Sequence, residues 1–206
     1  MKTLQTIGLY RLVTATVVAA AIITQLVYGI QTIDGFTVTN FFSFFTIESN
    51  IIGAVVFGIT GVAALQKRSV ERLAYLRGAA TLYMTITGIV YVLLLSNADV
   101  QTPLPWVNLV LHYIFPVIIV IDWLLDNPVR SIRFKKALVW LIFPLVYAAY
   151  SFVRGASTGW YPYPFLNVDA LGAHDVLVNC LFIAAGGVLA VGAIVGLAKL
   201  DEGRRR

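Results

Sequence analysis

Charge is scarce in this chain. Only 12% of its 206 residues are Asp, Glu, Lys or Arg, while 59% are hydrophobic. Ordinary soluble domains carry about a quarter charged residues, so the balance argues against a water-soluble globular protein. There is a single cysteine, Cys180, which excludes an internal disulfide and suggests no redox role. The two histidines, His112 and His174, and the scattered carboxylates show no zinc-like ligand spacing. No Gly-rich phosphate loop and no Ser-centred G-x-S-x-G elbow is present either. Neither a metal nor another cofactor is therefore expected.

Positive charge is also missing from alternate stretches of the chain. Fourteen of the fifteen basic residues fall in four groups. These are Lys2 and Arg11; Lys67, Arg68, Arg72 and Arg77; Arg130, Arg133, Lys135 and Lys136; and Lys199 with Arg204, Arg205 and Arg206. The intervening segments 31–41, 96–106 and 153–175 hold just one, Arg154, and carry Asp34, Asp99, Asp169 and Asp175 instead.

What fills the space between these groups is long apolar sequence. A membrane-spanning helix needs about 20 mostly apolar residues, and six segments qualify, at 7–30, 42–65, 78–95, 107–125, 137–152 and 176–197. The fifth is short and holds Pro144, which leaves its ends least defined. Continuous runs of this kind differ from the alternating strands of a membrane β-barrel. The expected fold is all-α: a polytopic membrane protein forming a single six-helix domain over residues 1–206. The first run is too long for a signal peptide and is read as an uncleaved helix.

Lys and Arg favour the cytoplasmic side of a membrane. Both termini and the 66–77 and 126–136 loops are therefore expected there. The net charge of +5 belongs to these loops, and no nucleic-acid partner is expected. The longest outer loop contains Trp160-Tyr161-Pro162-Tyr163-Pro164-Phe165-Leu166-Asn167. Its aromatic rings suit the headgroup layer, and its prolines would stiffen it. It reads equally as an aromatic belt or as a lid.

Polar groups inside a span are costly, so each needs a partner or a task. Thr46 lies about five residues into the second segment, roughly 7–8 Å deep, and His112 about six into the fourth, roughly 9 Å deep. Both segments run inward from the outer side, so the two residues match in depth. Asn50 follows Thr46 by four residues and Asn108 precedes His112 by four, so each pair shares a helical face. Asn179 lies at comparable depth in the sixth segment. These five residues are expected to ring one polar pocket. Threonines in membrane helices also bond back to their own carbonyls, and asparagines also act as interhelical ties. Glu48 sits about 200° around the helix from Thr46 and is expected to pair with Arg154 or reach outward. Asp122 is expected to pair with the basic 130–136 loop, and the His174-Asp175 pair to begin the sixth helix.

Three stretches carry a resemblance: Phe44-Phe45-Thr46-Ile47-Glu48-Ser49-Asn50, Leu111-His112-Tyr113 through Pro116 to Asp122-Trp123-Leu124-Leu125, and Tyr161-Pro162-Tyr163-Pro164-Phe165-Leu166. Over nearly its whole length the chain resembles the Pr6Pr family of six-helix bacterial membrane proteins. More distantly it is similar to the FAR-17a/AIG1-like (androgen-induced protein) family, whose eukaryotic members are intramembrane threonine hydrolases of fatty acid esters of hydroxy fatty acids. That resemblance implies a threonine nucleophile at Thr46, a histidine at His112 and a bacterial plasma-membrane location. The threonine context differs from the family's Leu-Thr-Phe pattern, and Pro116 is offset by one position.

The expected chemistry is acyl-ester hydrolysis of a membrane lipid. Thr46 would attack, His112 would act as general base, and Asn50, Asn108 or Asn179 would donate to the oxyanion. Ser43 is the reserve nucleophile. Two other readings use the same polar cluster. One is a small-solute or proton-coupled transporter relaying through Glu48 and His112. The other is a non-catalytic lipid-binding protein.

Overall fold

A computed structural model describes residues 2–68, 71–96, 103–126, 128 and 132–204. Asp99, Arg130, Arg205 and Arg206 lie outside the described residues. Helix dominates, and no strand occurs among the described residues. Six helices are long and apolar enough to cross a membrane: α1 (Leu4–Thr32), α2 (Phe45–Leu65), α3 (Ala74–Leu95), α4 (Pro105–Leu125), α5 (Phe134–Thr158) and α6 (Ala173–Ala198). They fall on the six apolar segments of the sequence, most of them extended by a few residues at one or both ends. Pro144 does not break α5. It occupies the first α-helical turn, after a 3-10 stretch over Leu138–Leu141, where a missing N–H costs little.

Two regions of core meet along α3. One joins α1, α2 and α4 through Val18, Ile47, Phe57, Met84, Leu111 and Phe115. The other joins α3, α5 and α6 to the 159–167 loop through Leu82, Tyr83, Trp140, Tyr147, Tyr163 and Val191. Glycine permits a close crossing of α1 and α2. A Cβ on Gly8 of α1 would lie 2.9 Å from the Gly61 carbonyl of α2, and one on Gly61 would lie 3.0 Å from that of Gly8. Small residues at such a contact let helix backbones approach closely.

The bundle is fastened at its basic end by buried charge. Asp122 of α4 accepts from Arg11 Nε at 2.7 Å and Nη2 at 2.9 Å, and from Arg77 Nη2 at 3.1 Å. The Tyr10 hydroxyl also bonds to it. Asp126 accepts from the same two arginines at 2.6 and 3.3 Å. Arg11, Arg77 and Asp122 are 0%, 4% and 3% exposed. This corrects the expected pairing of Asp122 with the 130–136 loop: α1 and α3 deliver arginines to the carboxylate within the bundle. Two of the basic residues read as surface anchors, Arg11 and Arg77, are thus interior. Burial selects this arrangement, because a carboxylate shut away from water needs charged donors at hydrogen-bond distance.

At the opposite end the second apolar segment divides. A short helix, Val38–Phe42, is capped by the Thr37 hydroxyl accepting from the Asn40 N–H. Ser43 then bonds its hydroxyl to the Thr39 carbonyl, and Phe44 is extended at φ −82°, ψ 128°. The chain restarts as α2 at Phe45. Thr46 therefore lies in the first turn of its helix, whereas hydropathy alone makes the span continuous from 42.

Candidate active site

The start of α2 has no side-chain cap of its own, because Phe44 occupies the capping position. Its first N–H groups would be orphaned in an apolar setting. Two tyrosines supply the acceptors. The Tyr147 hydroxyl of α5 accepts from the Phe45 N–H at 3.2 Å and donates to the Ser43 carbonyl at 2.9 Å. The Tyr163 hydroxyl accepts from the Thr46 N–H at 3.1 Å and lies 3.3 Å from Thr46 Oγ1. The Thr46 hydroxyl thus meets a hydroxyl from another part of the fold, and among the described residues it shows no bond back to a carbonyl of its own helix. Tyr163 is buried, and that burial pushes its phenol up to about 12, so it remains a protonated donor.

Tyr163 reaches this position because the 159–167 loop turns inward. Gly159 ends α5 in the left-handed conformation, φ 69°, a conformation that glycine adopts without a steric penalty. Tyr161 lies against Gly155, where an added Cβ would fall 2.0 Å from the ring. Phe44 makes edge contacts with Trp160 and Tyr163 at 5.7 and 5.6 Å between centroids. Arg154 donates to the Asn40 side chain and sits over the Trp160 ring at 5.1 Å. It therefore ties this loop to the Val38–Phe42 helix, and of the two expectations for Glu48 the pairing with Arg154 is not seen among the described residues.

Two π-helical turns shape the histidine side. One covers Tyr91–Leu95 in α3 and the other Val110–Ile114 in α4. Such turns are rare and recur at functional sites. They carry Tyr91 and His112, whose rings stack at 4.0 Å with an interplanar angle of 26°. His112 Nδ1 lies 3.3 Å from the Asn108 carbonyl. A carbonyl only accepts, so the neutral ring holds its proton on Nδ1 and keeps the lone pair on Nε2.

Thr46 and His112 line one cavity of about 230 Å³. Its wall also includes Gln25, Asp34, Thr37, Asn40, Trp160 and Tyr163. Thr46 and Tyr163 in addition line a second cavity, of about 290 Å³ and mostly apolar, among α3, α5 and α6. The two residues form the partition between these spaces.

The three asparagines are not among the residues lining either cavity. Asn50 donates to the Thr46 carbonyl at 2.8 Å and to the Leu111 carbonyl at 3.2 Å, tying α2 to α4. Asn108 donates to the Tyr91 hydroxyl at 2.8 Å. Asn179 donates to the Phe165 carbonyl at 3.2 Å and holds the loop to α6. Ser43 has its hydroxyl 2.7 Å from that of Tyr150. His174 and Asp175 are exposed at the start of α6, 2.9 Å apart. Among the described residues no group of three or more His, Cys, Asp or Glu side chains gathers to hold a metal ion.

Tyr163 and Tyr91 are site residues that sequence reasoning did not single out. The available signal was a tyrosine between two prolines, Pro162 and Pro164, in a loop beside the Thr46 helix. Fold and site together define an all-helical, membrane-type protein with a hydroxyl and an imidazole on one cavity wall. Compared with known proteins, the chain matches no family model, no curated protein and no solved structure.

Proposed function

We propose that the protein is an intramembrane hydrolase of acyl esters of lipids, with Thr46 as nucleophile and His112 as general base. The carrying observation is that both residues line the same cavity, with Nδ1 of His112 committed to a backbone carbonyl. The base is then Nε2. It takes the Thr46 proton as Oγ1 attacks the ester carbonyl, then passes it to the leaving alcohol. Water, deprotonated by the same nitrogen, releases the acid and restores Thr46. Tyr163 donates its proton toward the developing oxyanion, since its own oxygen already accepts from the Thr46 N–H. The hydrogen bond between nucleophile and base forms with substrate bound, as catalytic contacts commonly do.

The six helices are read as crossing a bacterial plasma membrane, with both chain ends on the cytoplasmic side. Lys67, Arg68, Arg133, Lys135 and Lys136 gather at one end of the bundle, which suits that orientation. The cavity then opens toward the outer leaflet. The Pr6Pr and FAR-17a/AIG1-like resemblance adds fatty acid esters of hydroxy fatty acids as the first substrates to try.

Purified protein in nanodiscs, given such esters, should release free fatty acid. Thr46→Ala and His112→Ala should each abolish release while keeping the folded elution profile. Undiminished turnover in both variants refutes the assignment. The apolar cavity also favours a second reading, a lipid-binding protein without chemistry, in which lipid co-purifies and no ester is cleaved. A transporter relay through Glu48 gains less support, because Glu48 lines neither cavity.

A further inference from the structure

We infer that the apolar cavity among α3, α5 and α6 is an acyl-chain subsite, and that the ester lies across the Thr46–Tyr163 partition in one orientation only. The inference rests on the hydrolase reading above. It follows from which residues border which space.

The carbonyl carbon must reach Thr46 Oγ1, and Thr46 borders both cavities. His112 borders the polar cavity and not the apolar one. In the first step the Oγ1–carbon bond forms, the proton moves from Oγ1 to Nε2, and the carbon–alkoxy bond breaks. The same proton then passes from Nε2 to the alkoxide. The departing oxygen must therefore lie on the histidine side, in the polar cavity. The acyl chain is left with the other side of Thr46. In the second step water enters from the polar side and gives its proton to Nε2. Its oxygen bonds to carbon, the Oγ1–carbon bond breaks, and Thr46 recovers a proton from Nε2.

The apolar space suits that role. Ile86, Leu141, Tyr147, Ile183 and Gly187 form part of its wall. Leu145 and Val188, also on the wall, are 61% and 41% exposed at the outer face of the bundle. A chain can thus pass sideways from hydrocarbon into the site without crossing water. The volume is about 290 Å³. A long chain would fill it and leave its tail in lipid. A third space, of about 460 Å³ between α3 and α4, borders His112 and not Thr46, so it cannot hold the acyl carbonyl.

The test uses full-length protein in nanodiscs with nitrophenyl esters of a four-carbon and a sixteen-carbon acid. Ala184→Phe and Ala148→Phe place bulk on the cavity wall. Val146→Phe is the control, because Val146 is 60% exposed and outside the wall. Both wall variants should lower kcat/KM for the long ester by about tenfold or more, the scale of misfit in an apolar pocket. The long-to-short ratio should fall in both, a wild-type elution profile shows that they fold, and Val146→Phe should keep the wild-type ratio. A second readout needs no catalysis. A fatty acyl ester carrying a chain-terminal diazirine, photolysed on Thr46→Ala protein, should label peptides from α5 and α6. An unchanged long-to-short ratio in both wall variants, or labelling confined to residues 33–41, overturns the inference. If wild-type protein cleaves neither ester, the hydrolase reading fails, and the labelling map alone then decides whether the cavity takes an acyl chain.

Discussion

Replacing Asp122 with Asn should destabilise the bundle severely, and removing Arg11 as well should restore most of the loss. Asp122 receives three hydrogen bonds from two guanidiniums, with Asp126 as the second carboxylate. The four groups balance in charge. Asp122→Asn keeps the shape and removes one negative charge, leaving two arginines to share Asp126 in the bundle interior. Breaking a buried ion pair from one side costs about 3–5 kcal/mol, since the surviving charge has nowhere to go. The Arg11→Met/Asp122→Asn double variant leaves Arg77 with Asp126 and regains neutrality. It should lie closer to wild type than Asp122→Asn does, with a coupling energy of about 2 kcal/mol or more. Reversible unfolding in mixed micelles, followed by tryptophan fluorescence, measures each variant, and Trp123 lies 5.7 Å from the Arg77 guanidinium. A paired Lys135→Ala/Lys136→Ala variant should change nothing, because Asp122 takes its charges from α1 and α3. A single Asp122→Asn cost below about 1 kcal/mol, or a double variant no better than the single, would refute the account.

Other perturbations bear on the cavity end. Tyr163→Phe should reduce kcat about a hundredfold, the scale of one lost oxyanion donor, and should cost about 1 kcal/mol for the uncapped Thr46 N–H. Steady-state kinetics beside an unfolding curve separates the two effects. Gly155→Val should push Tyr161 off α5 and displace the loop, seen as faster amide hydrogen exchange over residues 160–167 and lower turnover. Unchanged exchange there would show that the loop is held by other contacts. Asn50→Leu removes both bonds that tie α2 to α4, and should cost about 1–3 kcal/mol with turnover per folded molecule kept. Lost turnover at full stability would instead return Asn50 to the chemistry.

The six helices were legible because membrane spans are written in hydropathy, which needs no tertiary information. The grouping of Thr46 with His112 was legible too, though depth counting placed Thr46 well inside α2. The break at Ser43 and Phe44 escaped that count, since it depends on a local hydroxyl bond and an extended residue within an apolar run. Arg11 and Arg77 looked like membrane anchors for a similar reason. A basic residue near a helix end has the same sequence signature whether it meets headgroups or a buried Asp122. Asn50 and Asn108 do share helix faces with Thr46 and His112, as their spacing requires, whereas Asn179 stands on α6. Those faces meet Leu111, Tyr91 and Phe165 directly, so the amide groups are spent on interhelical and loop ties. The π-turns had no signature to read, and the inward turn of Tyr163 goes with a close Gly155–Tyr161 contact between α5 and the loop that hydropathy does not reveal.

The Tyr163 hydroxyl joins duties that proteins often divide between residues. It closes the backbone of α2 and stands beside the side chain proposed to react. Phenylalanine preserves the ring and loses both contacts, while serine or threonine keeps a hydroxyl too short to arrive. Position 163 therefore has no neutral neighbour in sequence space, and drift there would cost fold and chemistry together.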